Sequence, residues 1–292
     1  MSQDLSLFHE QIFPEFSSQS VDSSPTDNQL TSEKCEFFRK NGYVQGIDIL
    51  NEEQIGILRD ELSELFESDH IGNEYWYEYH SNESDDPHNV LFHALGAWRI
   101  RKGLHDILWL PNFLIPASQL LGNQSVRFWH DQLFCKPANH GGVVAWHQDY
   151  SYWTRTKPMQ HLTCWIGLDD ATADNGCLQY IPGSHKWDLL PITGLAGDMD
   201  AIKEVLNEEQ WEQFQNPVAI ELKAGQAAFH HPLLVHGSYA NRTERPRRAI
   251  VLNVFADGTL SDSDETLLNG VPPVEKGKKM EGQFFPLLYN VE

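Results

Sequence analysis

Basic residues are scarce in this chain: 21 Lys and Arg stand against 42 Asp and Glu in 292 residues, a formal charge of −21. A surface so short of cations does not hold a polyanion by general electrostatics, so non-specific nucleic-acid binding and anionic membrane surfaces are not expected. Cysteine is scarce as well. Cys35, Cys135, Cys164 and Cys177 are scattered and form no C-x-x-C pair. That spacing fits reduced thiols in a cytoplasm better than a disulfide framework or a zinc knuckle. No run of 18 apolar residues exists, so no membrane-spanning helix is read. Met1 to Glu10 has neither a basic region nor an apolar stretch after it and does not read as a secretory signal. Internal repeats and heptads are missing too, and nothing in the pattern sets an oligomeric state. The expectation is an acidic, cytoplasmic globular protein.

The remaining composition is ordinary, with 40% hydrophobic and 22% charged residues. A chain of this length buries a core without a disulfide or metal staple. Residues 1–28 are polar, with a Ser-rich stretch from Ser17 to Ser24 and then Pro25, and are expected to be a loosely held segment. Residues 29–292 read as a single domain, mostly helical over 29–124. Thr31 or Ser32 caps a helix through Cys35, Phe37 and Phe38 that Asn41-Gly42 stops. Asn51 caps a second helix, Glu52 to Glu67, in which Ile55, Leu58, Leu62 and Leu65 recur at helical spacing. Residues 68–92 are acidic and aromatic and read as a long surface loop. Helical pattern resumes over 96–107 and 112–121.

From Ser125 the texture changes to short runs of Val, Ile, Phe, Trp and Tyr between Gly, Pro and Asn: 125–135, 143–147, 161–169, 177–182, 217–222, 226–230 and 248–256. Evenly spaced short strands predict an all-β sandwich or barrel. A helical, acidic insertion over about 198–215 interrupts this β-rich part, 125–256, and residues 257–292 form a C-terminal extension.

Trp146-His147-Gln148-Asp149 falls in one of those strands. Residues i and i+2 of a strand share a face, so His147 and Asp149 can present imidazole and carboxylate to one point. With 14 histidines and 42 acids in 292 residues, about two H-x-D/E pairs arise by chance, and this is the single one present. Alone, then, the pair more readily describes a surface His and Asp at a strand end. A second imidazole from another strand would make two histidines and a carboxylate on one face of a metal, the arrangement used by non-haem Fe(II) oxygenases. His236, in Val235-His236-Gly237-Ser238, is a candidate. Arg247, eleven residues on, would offer a two-pronged hydrogen bond to a dicarboxylate, with Ser238 adding a hydroxyl. Asn175-Gly176 and Pro182-Gly183 mark turns on either side of a further strand.

Taken together, W-H-Q-D, then W-I-x-L-x-D-A-T-x-x-N-G-x-L-x-x-I-P-G-S-H, then H-G-S…N-R-T…R-R-A-I resembles the phytanoyl-CoA dioxygenase family of Fe(II)- and 2-oxoglutarate-dependent oxygenases, over about residues 125–256. The resemblance implies a mainly β fold, a double-stranded β-helix (jelly roll, cupin-like) flanked by N-terminal helices. It implies that His147, Asp149 and His236 are the iron ligands. Arg247 then binds the distal carboxylate of 2-oxoglutarate with Ser238 as its helper, and Gln132 and Trp165 line the cosubstrate pocket. The lysine that some relatives add upstream corresponds to Val90 here, with His93 as a candidate substitute. The implied reaction consumes O2, decarboxylates 2-oxoglutarate to succinate and CO2, and oxidises a small organic molecule. Halogenating relatives lack the carboxylate ligand, so Asp149 favours hydroxylation.

Two other readings stay open. A non-catalytic jelly-roll binding protein would have lost one of His147, Asp149, His236 or Arg247. A cupin-like metalloenzyme without 2-oxoglutarate would have no use for the arginine. Among the other candidates, His130, His161, His185, His230 and His231 read as histidines at strand ends or behind the metal ligands. Arg248 is expected to face away from Arg247, and Arg242 and Arg245 to be loop charges. Tyr150, Tyr152 and Trp153 are either a substrate wall or core. The Tyr75–Tyr79 stretch reads as a lid, and Arg155 and Lys157 as local phosphate contacts.

Overall fold

The computed structural model describes residues 3–17, 28–67 and 69–291. Its centre is built from β1 (Tyr43–Asp48), β2 (Glu78–His80), β3 (Phe92–Leu95), β4 (Val126–Lys136), β5 (Val144–His147), β6 (Thr156–Lys157), β7 (His161–Gly167), β8 (Leu178–Tyr180), β9 (Val218–Ile220), β10 (Gln226–His230), β11 (His236–Ser238), β12 (Arg247–Ala256), β13 (Leu260–Ser261) and β14 (Leu287–Tyr289). A large sheet runs β1-β10-β7-β12-β4-β3-β2, with β14 also on β4, and a small one runs β5-β11-β8-β9. Trp165, Ala228, Ala249 and Val251 of the large sheet pack against Leu178, Tyr180 and Ile220 of the small one. The molecule is therefore the expected jelly roll, two sheets face to face rather than a closed barrel.

Strand β12 is buried along nearly its whole length because both of its faces are covered. Its alternate residues divide cleanly. Ala249 and Val251 point between the sheets, whereas Ile250, Leu252 and Val254 join Phe128 of β4 under the helices. Those helices are α1 (Pro14–Ser17), α2 (Ser32–Asn41), α3 (Glu52–Leu65), α4 (Lys102–Asp106) and α5 (Pro111–Leu120); α6 (Glu208–Phe214) lies in the insertion. In α3 the side chain of Asn51 accepts from Gln54 N–H and Gln54 reaches back, a reciprocal cap that starts the helix where the sequence places it. Leu58, Leu62 and Leu65 are its fully buried stripe. In the insertion, Phe214 of α6 meets Trp146 edge-to-face and closes the outer side of the small sheet.

Three expectations differ from what is found. Residues 68–92 are not one surface loop: β2 and β3 extend the large sheet, and Tyr77 is buried. Strand β1 was not anticipated, because a glycine at position 46 breaks its alternation where the register with β10 slips. Of the segment expected to be loose, residues 3–17 are docked. Asp4 pairs with Arg99, the Ile12 and Phe13 N–H groups donate to Asp106, and Phe16 is fully buried. Its apolar residues are too isolated to form a local pattern, so only the body they pack on gives them structure. Residues 18–24 of the Ser-rich stretch, and Pro25, lie outside the described residues. Among the described residues no helix is long and apolar enough to cross a membrane.

His161 illustrates what the core asks of its histidines. Its ring sits among Trp129, Tyr150, Trp153 and Phe255. Burial, reinforced by nearby His130, pushes it from the usual 6.5 down to about 3. The unfolded chain takes up this proton near 6.5, so the neutral ring contributes its full stability above that pH and loses it as the pH falls toward the folded value. In His161→Phe that loss is absent. The melting-temperature difference, variant minus wild type, is expected to move in the variant's favour between pH 7 and pH 5, and a pH-independent difference would refute this.

Candidate metal centre

The register of two strands builds the site. On β11, His236 lies opposite His147 of β5, and the register shifts between His236 and Ser238, which lies opposite Val144. Gly237 allows the close approach, since a Cβ there would sit 2.9 Å from the Val144 carbonyl oxygen. Asp149 lies just past β5, in the 3-10 turn Asp149–Tyr152. Its Oδ1 is 3.5 Å from His147 Nε2 and 3.5 Å from His236 Nε2. One ligand atom from each residue falls within 4.8 Å of the other two.

Each imidazole is locked in one tautomer by its own strand. His147 Nδ1–H donates to the Ala145 carbonyl at 2.8 Å, and His236 Nδ1–H to that of Leu234 at 2.9 Å. Both Nε2 lone pairs are left aimed at the carboxylate. Burial, then the neighbouring His147, pushes His236 well below the usual imidazole value and keeps it neutral. Burial alone would raise the Asp149 pKa; His236, His147 and His230 outweigh it and hold the group well below the usual carboxylate range. Two lone pairs and one anionic oxygen converging in a buried pocket form a donor set that fits a divalent cation and little else.

The second carboxylate oxygen is fully occupied. Asp149 Oδ2 accepts from Thr163 Oγ at 2.6 Å and from His230 Nε2–H at 3.0 Å. The Tyr180 hydroxyl lies 2.8 Å from His230 Nδ1 and donates to it, which commits the other ring nitrogen to the aspartate. Thr163 and His230 are paired across β7 and β10, so one register sets both.

Behind the three ligands the inward faces of β4, β7 and β12 form a chamber of about 50 Å³. Gln132 and Trp165 both lie opposite Val251 in their ladders, and period two adds Phe134, Ser238 and Arg247 to the lining. Arg247 is 2% exposed. One N–H donates to the Gly176 carbonyl at 2.8 Å, its Nε is buried with no partner, and its guanidinium stacks 5.3 Å over the Trp165 ring. Gly176 has φ +77, and a Cβ there would be 2.2 Å from the Tyr239 carbonyl oxygen, so this anchor accepts glycine alone. Burial lowers the Arg247 pKa to about 10, which leaves it a cation at neutral pH.

Lys136, paired with Arg247 across β4 and β12, is a second buried amine. Its Nζ donates to Ser238 Oγ at 2.7 Å and to the Ser238 and Tyr239 carbonyls. The Ser238 oxygen is thereby used as an acceptor and its own proton is free to donate into the chamber. Burial, then repulsion by Arg247, drives the Lys136 pKa well below its usual value. Neither cation has a carboxylate partner among the described residues, which suits the chamber to an anion. A larger cavity of about 430 Å³ opens outside it and shares Gln132, His147, Asp149 and Leu195 with it.

His147, Asp149, His236, Arg247, Ser238, Gln132 and Trp165 thus meet around one chamber. His93 lines the outer cavity instead, beside Gln132. His185 and His231 pack on each other away from the metal residues, and Arg248 faces out in a two-pronged pair with Asp169. Tyr152 and Trp153 line the outer cavity, whereas Tyr150 hydrogen-bonds the Thr156 carbonyl. Tyr75–Tyr79 is no lid: Tyr77 is buried and Tyr79 packs on Phe92. Lys157 is committed to Asp262, and Arg155 gives an N–H to the Thr266 carbonyl. Thr163, Tyr180 and Lys136 were not singled out, and His230 was weighed only as a background histidine. Period two from Trp165 and from Gln132 was the available signal for Thr163 and Lys136.

The profile of the phytanoyl-CoA dioxygenase family matches residues 38–249. A probable phytanoyl-CoA dioxygenase of Caenorhabditis elegans is 26% identical over 241 residues, covering 79% of this chain and 77% of that one. The phytanoyl-CoA dioxygenase of Arabidopsis thaliana is 29% identical over 260 residues, covering 78% and 90%. Among solved structures, the epimerase SnoN in complex with Fe3+, alpha ketoglutarate and nogalamycin RO superposes with a TM-score of 0.72 at 21% identity, over 91% of this chain and 100% of that one. At that identity the likeness is one of fold.

Freeing Asp149 Oδ2 should loosen the carboxylate that faces the metal position. Thr163→Val and His230→Ala are each expected to weaken Co(II) binding by about 10- to 100-fold, read from the visible Co(II) bands. Unchanged affinity in both would show that the two side chains do not position the ligand.

Proposed function

This chain belongs to the phytanoyl-CoA dioxygenase family, and from that premise we propose that it is a Fe(II)- and 2-oxoglutarate-dependent dioxygenase that hydroxylates a small organic substrate. Fe(II), 2-oxoglutarate and O2 are the cofactor and cosubstrates of the family. The observation that carries the reading is Arg247: a buried cation with an unpartnered Nε and no protein carboxylate, in a chamber that opens on two imidazoles and an aspartate. A cupin-like metalloenzyme without a dicarboxylate cosubstrate has no use for that cation, and a non-catalytic binding protein has none for the tautomer-locked histidines.

In this reading His147 Nε2, His236 Nε2 and Asp149 Oδ1 would hold the iron. When bound, the iron and its cosubstrates supply the oxidation: substrate C–H, 2-oxoglutarate and O2 become substrate C–OH, succinate and CO2. The protein's own residues do the positioning. Arg247 binds the distal carboxylate of the cosubstrate through its unpaired N–H, and the Ser238 hydroxyl, held by Lys136, donates a second hydrogen bond. Trp165 stacks under the guanidinium and keeps it planar against the chamber wall. Phe134, Leu178 and Val251 exclude water around these groups. The outer cavity then receives the molecule to be oxidised, against His147 and Asp149. Asp149 takes the position that a halide would need, which supports hydroxylation over halogenation.

Anaerobic titration of metal-free protein with Fe(II) and 2-oxoglutarate is expected to give the weak visible charge-transfer band of a chelated 2-oxo acid. His236→Ala should abolish it, and Arg247→Ala should raise half-saturation by 2-oxoglutarate about 100-fold or more. Iron binding without the band would remove the cosubstrate and favour the cupin-like reading. Products of aerobic turnover, analysed by mass, separate insertion of one oxygen from an oxidation that inserts none, such as the epimerisation named for SnoN.

A further inference from the structure

The outer cavity carries an excess of negative charge that nothing in the metal site requires. Glu83 and Glu78 stand in its wall, opposite apolar surface from Leu95, Trp129, Tyr152 and Trp153. Its one arginine, Arg155, is engaged elsewhere: it donates to the Thr266 and Leu267 carbonyls and lies 3.8 Å from Glu265.

Glu83 is held, not merely exposed. Its side chain is 23% accessible, and Oε2 accepts from His93 Nδ1–H at 3.2 Å. His93 Nε2 in turn accepts from the Gln132 amide at 3.3 Å, and Gln132 Oε1 accepts from Asn253 at 3.2 Å. This chain of hydrogen bonds runs through His93 and orients Glu83. The hydrogen bond from His93 keeps Glu83 below the usual carboxylate value and therefore ionised. Its Oε1 has no protein partner among the described residues. Trp129, in the same wall and 3% exposed, has an indole N–H with no partner. Gln132 lines both cavities, so the chain that orients Glu83 begins at the cosubstrate chamber.

We propose that the outer cavity selects an amphiphilic substrate bearing a cationic nitrogen, which Glu83 binds while the apolar body lies along Trp129, Tyr152 and Trp153 toward the metal residues. This rests on the function proposed above and names the substrate class of that site. Aromatic faces add to the attraction for a cation. A polyphosphorylated carrier such as coenzyme A finds in this wall a single arginine, already bonded to the Thr266 and Leu267 carbonyls, and meets two carboxylates.

The test titrates the protein with n-octylammonium, n-octanoate and n-octanol and follows the fluorescence of Trp129 and Trp153. This readout needs no turnover and no iron. Octylammonium is expected to saturate at a concentration at least about tenfold below octanoate. Glu83→Gln should erase that preference and Glu83→Lys should reverse it. Glu209→Gln, on the exposed face of α6, removes the same charge far from the cavity and should leave the preference intact. The anaerobic 2-oxoglutarate band is recorded for each variant. A normal band with equal binding of octanoate, or with a preference that survives Glu83→Gln or falls in Glu209→Gln, overturns this proposal and leaves the dioxygenase reading standing. Loss of the band in wild-type protein overturns the dioxygenase reading, while the fluorescence still reports whether Glu83 selects a cation.

Discussion

One buried carboxylate between two imidazoles is the constraint on which the rest of the centre depends. The Asp149 pKa lies well below the usual carboxylate range although burial works against it, and Thr163 and His230 both donate to its Oδ2. The two histidines that face its Oδ1 give away their Nδ1 protons to their own strands. The pocket therefore concentrates anionic and lone-pair character at one point while satisfying every other polar atom of the three residues. That asymmetry distinguishes a metal position from an ordinary buried ion pair, in which a proton would sit between the partners.

The large sheet extends the same logic outward. Its inward face carries Thr163 and His230 to hold the far oxygen of Asp149, then Trp165, Gln132, Arg247 and Lys136 at successive distances from it. Two buried basic groups side by side are unfavourable as cations unless an anion joins them, which is why burial and Arg247 push the Lys136 pKa well down. The fold tolerates this because the helices bury a wide apolar surface on the opposite face of those strands. Stability is supplied on one side of the sheet, and function is placed on the other.

Gln132 joins the two cavities. Through His93 it orients Glu83 in the outer one, and through its position opposite Val251 it lines the inner one. The inner chamber is thereby connected, through two hydrogen bonds, to Glu83 in the wall of the outer cavity.

Much of this was legible in the sequence for a physical reason. Strand spacing of two and helix caps are local, so β4, β5, β7 and β12, the Asn51 cap and the outward turn of Arg248 follow from neighbouring residues. The H-x-D pair and the eleven-residue step from His236 to Arg247 are short-range patterns of the same kind. What remained hidden depends on partners distant along the chain. Phe16 and Asp4 have no local pattern and order only on the body; Tyr77 looked like loop until β2 joined the sheet. His230 is one histidine among 14 until the β7 and β10 register sets it beside Thr163 and against Asp149. Lys136 looks like a surface lysine until β12 covers it. The sequence by itself determined the fold class and the types of ligand, because periodicity and residue chemistry are written locally. Tertiary structure alone decided which histidine supports Asp149, which amine holds Ser238 and which glutamates line the outer cavity, because hydrogen bonds across strands exist only once the register does.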